Sequence, residues 1–177
     1  MLLEELHNYA SPASKLSRMT ARGECVQIVK GLYETDKSVP GYLLAGSIYG
    51  PSYISFEYAM SYYGLIPEAV YTVTSATFEK KTFTYCDVPA EAFPLELILV
   101  QEGDYFYRIA SPEKAVCDKL YTMSPTANIK ELYTLLADDL RIDMDALKKL
   151  DQSKLAQLSG KYHSTNVKKL CSLIRRL

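Results

Sequence analysis

Residues 50–68 read GPSYISFEYAMSYYGLIPE and decide the middle of the fold. Ser55 stands where a helix N-cap is expected, and apolar side chains follow at helical spacing as far as Tyr63. Gly64 favours the left-handed conformation that ends a helix, and Pro67 prevents the helix from continuing. The stretch therefore predicts a two-turn helix. We expect the second domain to be built around this helix and the strand that follows it.

Tyrosine is frequent in this stretch, and two interpretations follow. The rings could stack on a ligand or on nucleic-acid bases, or they could pack in a core with their hydroxyls directed to partners or solvent. Base-stacking surfaces usually carry interleaved cations, and residues 50–68 contain no Lys or Arg. Core packing is therefore the interpretation that we favour for Tyr58, Tyr62 and Tyr63.

The overall composition is that of a soluble globular protein, with 48% hydrophobic and 23% charged residues. A length of 177 residues favours one main domain with a small appendage at one end. No apolar run is long enough to span a membrane, and Glu4 and Glu5 interrupt the region where a signal peptide would need its apolar core. We therefore expect a cytoplasmic protein without membrane contact.

The four cysteines and two histidines are scattered along the chain. Scattered cysteines are typical of reduced thiols, and no pair has the spacing of zinc ligands. No nucleophile elbow is present either. We predict no metal, no cofactor and no enzymatic activity. A degenerate nuclease site built from Glu57, Asp87 and Glu96 is a minor alternative, because no lysine lies at a motif-like offset from these residues.

A short basic helix is predicted near the N-terminus, over residues 11–23. Ser11 suits the N-cap, Pro12 suits the first helical position and Gly23 suits the end of the helix. Cationic side chains recur at helical spacing on one face of it, away from the apolar positions. The segment after it alternates in apolar residues around a Lys30-Gly31 turn, which predicts a two-stranded hairpin.

The order of these elements is that of a truncated winged helix-turn-helix over residues 1–38, which begins with a short apolar face at Leu2, Leu3 and Leu6. In such a unit the second helix enters the major groove and the hairpin lies against phosphates. A plain helical hairpin is the alternative, because residues 1–40 carry five basic and five acidic residues. The residues that we expect to contact DNA are Ser11, Ser14, Lys15, Arg18 and Arg22 on the helix and Lys30 on the wing.

Residues 39–177 are expected to form a mixed domain, so the whole chain is predicted to be α+β. Residues 40–52 indicate a linker that feeds a short buried helix or strand, and Gly103 indicates a hairpin turn. Ser111 and Asn128 are predicted helix caps, the second with Glu131 in a capping box. The other predicted elements are strands over 69–76, 82–88, 95–100 and 105–110, a turn over 79–81, and short helices over 145–150, 153–159 and 165–177.

Two groups of charged residues need an interpretation. Glu113 and Lys114 follow directly after Ser-Pro, and we interpret them as a helix cap and a solvent-exposed face. From residue 146 to residue 177 the chain carries eight Lys and Arg residues against a single acid, Asp151. Such a basic tail is typical either of a solvated helix face or of contact with nucleic acid or an acidic partner.

Three stretches together resemble a known family. The run YISFEYAMSYYGLIPEAVYTVTSA has the form Y-[IL]-S-x-E-x-A-L-x-x-x-G-L-I-P-E, with Met60 in place of the commoner leucine. The run IASPEKAVCDKLY has the form A-x-P-E-K-A-x-x-D, and SKLSRMTARGECVQIVKGLYE is similar to a recognition helix and wing, with Cys25 where leucine is usual. These forms resemble the AbiEi-type antitoxins of bacterial abortive-infection systems, a family of predicted transcriptional regulators.

The resemblance implies a DNA-binding repressor of its own operon, acting as the antitoxin of a nucleotidyltransferase-type toxin encoded alongside. In this type IV scheme the two proteins need no tight complex. A homodimer is expected if the operator is a palindrome. The resemblance weakens after residue 125 and does not cover the basic tail. The alternatives are a stand-alone regulator, a protein-interaction module that holds the toxin, and a degenerate nuclease.

Overall fold

The computed structural model describes residues 6, 8–77 and 86–177. The described chain has the α+β architecture that the sequence predicts, with a two-stranded sheet and a five-stranded sheet. The helices are α1 (Pro12–Ala21), α2 (Gly41–Ile48), α3 (Phe56–Tyr62), α4 (Pro112–Thr122), α5 (Ile129–Thr134), α6 (Met144–Lys148), α7 (Gln152–Tyr162) and α8 (Thr165–Ile174), with a π-helical turn over Leu135–Asp139. The strands are β1 (Val26–Val29), β2 (Leu32–Glu34), β3 (Tyr53–Ile54), β4 (Ser75–Thr77), β5 (Cys86–Asp87), β6 (Leu97–Glu102) and β7 (Tyr105–Ala110).

The buried side chains form two separate clusters. The small one contains Leu6, Leu16 and Cys25 and belongs to α1 and the β1–β2 hairpin. The large one lies between the five-stranded sheet and the helices of residues 41–174. The predicted turn at 79–81, most of the predicted strand at 82–88, and Leu2 and Leu3 of the predicted first apolar face lie outside the described residues.

The five-stranded sheet is mixed, with the strand order β5-β4-β3-β7-β6. The β6–β7 pair is the predicted antiparallel hairpin, and Gly103 in its turn has a φ of 59°. In contrast, β3 pairs in parallel with β7, and β4 pairs in parallel with β5. Helix α4 follows β7 directly and packs on α3, α7 and α8, so it lies at the centre of the larger cluster.

Both predicted glycine helix ends are confirmed. After α3, the Leu65 amide donates to the Met60 carbonyl (2.8 Å) and the Gly64 amide to the Ser61 carbonyl (3.0 Å). This is the hydrogen-bond pattern of a Schellman motif, which needs a left-handed residue; Gly64 has a φ of 66°. The same two bonds end α1, where Gly23 has a φ of 72°.

The start of α3 differs from the prediction. Ser55 lies at the N-cap position, but its side chain caps no helix amide. Its hydroxyl donates instead to a carboxylate oxygen of Asp118 (2.5 Å), because this part of the chain is buried against α4. The next residue, Phe56, is buried and has a φ of 56°, a conformation that is strained for a bulky side chain. Tertiary contacts therefore determine this helix start.

The predicted strand over 69–76 is wrong for most of its length, since only Ser75–Thr77 is a strand. The residues before it form a loop, in which Tyr71 is 90% exposed. The Val70 amide donates to the Ser61 hydroxyl at the end of α3 (3.3 Å) rather than to a neighbouring strand. The alternation of β-branched residues was therefore a misleading signal here.

Candidate nucleic-acid interface

The structure places five of the six predicted DNA-contacting residues on one face of α1. Counted from Ser11, the other four lie three, four, seven and eleven residues further along the chain. At 100° per residue, the five positions fall within an arc of about 100° around the helix axis. Leu16 packs into the small cluster on the other side of the helix. Lys30 lies apart from the other five, exposed at the turn between β1 and β2. The five residues, which we call the α1 stripe, are Ser11, Ser14, Lys15, Arg18 and Arg22.

The side chains of the α1 stripe make few contacts that would hold them away from a ligand. Arg18 donates to the Ser14 carbonyl (3.3 Å), and the Lys15 ammonium lies 5.3 Å from the centre of the Tyr9 ring. Arg22 approaches Glu24 at 3.8 Å, with both side chains largely exposed. Exposed pairs of this kind contribute about 0–1 kcal/mol and are screened by salt. The cationic heads are therefore available to an anionic partner.

Ser11 occupies the N-cap position of α1 as predicted, but its side chain does not cap the helix. Its hydroxyl donates to the hydroxyl of Ser14 (2.8 Å). The side chain of Ser11 therefore satisfies none of the free amides at the start of α1. Amides at a helix N-terminus favour anions, and phosphate groups are among them.

Two acids of the N-terminal region, Glu34 and Asp36, are engaged in local turns. Glu34 accepts hydrogen bonds from the amides of Thr35 (2.7 Å) and Asp36 (3.1 Å). Burial acts to raise the pKa of Glu34, but these amides and the Tyr105 hydroxyl outweigh it and hold that pKa below its usual value. Asp36 accepts from the amide (2.8 Å) and hydroxyl (2.6 Å) of Ser38. Both carboxylates therefore bind amides of their own turn and not the cations of the α1 stripe, whereas Glu24 lies 3.8 Å from Arg22.

A second polar group of residues, which sequence reasoning missed, is buried in the large cluster. Lys114 is fully buried, so its interpretation as part of a solvent-exposed face is wrong. Its ammonium donates to the Ala92 carbonyl (2.6 Å) and the Tyr162 hydroxyl (3.2 Å). It also lies 5.0 Å from the centre of the Tyr53 ring, a cation–π contact. Desolvation lowers the pKa of Lys114, and the nearby Asp118 carboxylate opposes that shift.

Asp118 is the acceptor at the centre of this network. It receives hydrogen bonds from the hydroxyls of Tyr53 (3.0 Å), Ser55 (2.5 Å) and Tyr162. Burial raises the pKa of the Asp118 carboxyl, whereas Lys114 and the three hydroxyl donors act in the opposite direction. We call Lys114, Asp118, Tyr53, Ser55 and Tyr162 the buried network.

Glu113 is buried as well, which contradicts its interpretation as a simple helix cap. Its carboxylate accepts a hydrogen bond from the Asp151 amide (3.0 Å), at the start of α7. Glu113 and the buried network therefore join α4 to β3 and α7. Every residue of the buried network is at most 2% exposed, so a substrate has no access to it and its role is structural. The one sequence signal for it was the spacing of four between Lys114 and Asp118, which puts both on one helix face.

The carboxylates of the nuclease alternative are not brought together. Glu57 forms an ion pair with Lys119, and Glu96 forms one with Lys154 at 3.0 Å. Across residues 6, 8–77 and 86–177, no group of three or more His, Cys, Asp and Glu side chains could hold a metal ion. The geometry therefore gives this alternative no support.

The tyrosines of the opening stretch are divided between core and surface. Tyr58 and Tyr63 are partly buried against the large cluster, as the core interpretation predicts. Tyr62 is 54% exposed, which that interpretation does not predict. Its ring packs edge-on against Tyr63, with centres 5.0 Å apart. Residues 50–68 contain no Lys or Arg that could bind phosphates beside stacked bases, so the sequence gives base stacking no support.

Comparison with known proteins adds no assignment. No protein-family model and no curated protein matches this chain. Among the helices that the structure describes, none is long and apolar enough to cross a membrane.

Proposed function

We propose that this protein is a DNA-binding transcriptional autoregulator that acts as the antitoxin of a nucleotidyltransferase-type toxin. The observation that carries DNA binding is the α1 stripe, in which three cations and two hydroxyls share one exposed face. The antitoxin role rests on the resemblance of residues 53–76 and 109–121 to AbiEi-type antitoxins. On this proposal residues 1–38 form a truncated winged helix-turn-helix, and residues 39–177 carry the antitoxin activity in the cytoplasm.

The dimensions of the α1 stripe suit the major groove of DNA. From Ser11 to Arg22 the stripe extends about 16 Å along the helix axis, at 1.5 Å per residue. The major groove is about 12 Å wide and admits one α-helix. Ser11 and Ser14 would lie near bases or phosphates, and the longer cations would reach phosphates on either side. Lys30 would contact the backbone from the hairpin, as a wing does.

The α1 stripe is tested with the variant Arg18→Gln/Arg22→Gln. We expect weaker binding to DNA from upstream of the gene, measured by fluorescence anisotropy over a range of salt concentrations. Each phosphate contact contributes about 0.9 to the slope of log K against log salt, so the slope should decrease in magnitude by about 2. Lys148→Gln/Lys149→Gln is the matched control, since it removes two exposed charges at the end of α6. Equal slopes for the two variants would refute DNA contact by α1.

The second candidate function is a protein-interaction module that holds the toxin. It is favoured by an exposed apolar patch on the β6–β7 hairpin, where Leu99 is 65% exposed and Phe106 is 58% exposed. The register places these two side chains on the same face of the hairpin. Leu99→Ser/Phe106→Ser should abolish co-purification with the neighbouring nucleotidyltransferase if this candidate is right. Loss of toxin protection in the Arg18→Gln/Arg22→Gln variant alone would instead favour control through DNA.

A further inference from the structure

Helix α8 has an exposed face that carries only basic and small polar side chains. Lys168 is exposed within the helix, and Arg175 and Arg176 are exposed immediately after it. Lys169 and Ser172 are partly exposed between them. At 100° per residue these positions fall within an arc of about 120°. We call this surface, formed by Lys168, Lys169, Ser172, Arg175 and Arg176, the α8 face.

The opposite side of α8 is firmly held. Val167, Leu170 and Ile174 are buried in the large cluster. Asn166 accepts a hydrogen bond from the Thr126 amide (2.9 Å) and donates to the Ser124 carbonyl (2.9 Å). These contacts fix the rotation of the helix about its axis. Lys168, Arg175 and Arg176 therefore project from a rigid support, which lowers the entropy lost when they bind. The Lys169 ammonium instead donates to the Thr126 carbonyl.

The cations of the α8 face lack the carboxylate partners that the lysines of α7 have. On α7, Lys154 pairs with Glu96 and Lys161 pairs with Glu91, each at 3.0 Å. Helix α8 contains no acid. Within the described part of the chain, no carboxylate forms an ion pair with Lys168, Arg175 or Arg176, although the total charge of the protein is only −1. The positive charge of the α8 face is thus left without a paired carboxylate.

We propose that the α8 face binds the phosphate backbone of duplex DNA, independently of base sequence and of α1. Lys168 and Arg175 are about 10 Å apart along the axis at 1.5 Å per residue, which corresponds to about three nucleotides of one strand at 3.4 Å each. Arginine forks match phosphate oxygens bidentately. A membrane surface fits less well, because a membrane-binding helix exposes a row of Trp, Phe or Leu side chains beside its cations, whereas from Thr165 onward the exposed large apolar side chain is Leu177 alone, at 43%.

This second surface changes how the protein would search for and hold DNA. Contacts to the backbone alone supply non-specific affinity and permit sliding. The inference goes beyond the proposed function, since it requires no operator and no toxin. It assigns a role to residues 168–176 of the basic tail, which the family resemblance does not cover.

The test uses the full chain and a DNA duplex of unrelated sequence, with binding followed by anisotropy over a range of salt concentrations. Lys168→Gln/Arg175→Gln/Arg176→Gln should bind more weakly and lower the magnitude of the salt slope by about 2–3, at about 0.9 per phosphate contact. The matched control Lys130→Gln/Lys148→Gln/Lys149→Gln removes the same charge from exposed positions on α5 and at the end of α6. Circular dichroism should show that both variants are folded.

Equal salt slopes for the α8 variant and its control would overturn the proposal. So would absence of wild-type binding to the duplex, or tighter α8-dependent binding to an RNA duplex or to anionic vesicles than to DNA. The α1 variant Arg18→Gln/Arg22→Gln is measured on the same duplex. If the α8 variant lowers the salt slope as expected and the α1 variant does not change it, the inference about α8 is supported and DNA contact by α1 is refuted.

Discussion

Replacing Lys114 by methionine should destabilise the protein strongly, because it breaks a buried network at its only cation. Methionine has nearly the same length and fills the same space, so the change removes a charge with little change in volume. It leaves the Ala92 carbonyl without the donor that contacts it at 2.6 Å. It also leaves Asp118 buried among hydroxyl donors without a compensating positive charge.

The size of the effect follows from the burial. Lys114 and Asp118 are joined through the Tyr162 hydroxyl, which accepts from the ammonium and donates to the carboxylate. Leaving one buried charge without its partner costs about 3–5 kcal/mol in the free energy of unfolding. For a chain of this size, 1 kcal/mol corresponds to about 2–4 °C in Tm, so the expected fall in Tm is about 6–20 °C. The double variant Lys114→Met/Asp118→Asn removes both charges and should lose less than the sum of the two single variants.

Urea unfolding followed by circular dichroism measures these free energies, with two-state behaviour checked by fluorescence of the tyrosines. Lys148→Met is the matched control, since this exposed lysine has only a surface contact to Asp145 at 3.5 Å. We expect it to change stability by less than about 1 kcal/mol. The argument fails if Lys114→Met is as mild as Lys148→Met, or if the double variant shows no coupling.

Two further predictions concern the helix end and the tyrosines. Gly64→Ala should lower the free energy of unfolding by about 1 kcal/mol, because this residue has a φ of 66°. Gly160→Ala, within α7, is the control and should be neutral or stabilising. Thermal melts measure both variants. Burial raises the pKa of Tyr53 and the pKa of Tyr162, and the nearby Asp118 carboxylate raises both further. Burial also raises the pKa of Tyr63, to about 12. The folded state therefore holds protons that the unfolded state releases near pH 10, so stability should fall as the pH rises above about 10. Phenolate absorbance should show these tyrosines titrating only together with unfolding; full titration near pH 10 in the folded state would contradict it.

Local signals in the sequence predicted the helix ends and the tight hairpins well. The Ser111 and Asn128 side chains accept from the third amide of their helices, as capping predicts. Gly23 and Gly64 end helices because their backbone conformation excludes most other residues. Each of these features depends only on residues within one turn of the chain, and for that reason the sequence pattern was sufficient.

Features that depend on distant partners were not predictable in this way. Whether Lys114 faces solvent is decided by Ala92 and Tyr162, which lie 22 and 48 residues away. Likewise Ser55 has the sequence of a cap, but Asp118, 63 residues away, takes its hydroxyl. The α1 stripe could be predicted because its residues share one helix. That Glu34 and Asp36 bind local amides and not these cations depends on the turn that follows β2.

The buried network also has a consequence for biosynthesis. Tyr162 reaches Asp118 across 44 residues of the chain. During translation, α4 and the sheet are therefore synthesised well before the hydroxyl that they need. In a nascent chain shorter than 162 residues, Lys114 and Asp118 lack that partner. Their charged groups then need water in its place. The part of the protein that surrounds the large cluster should consequently become protease-resistant only after α7 has left the ribosome.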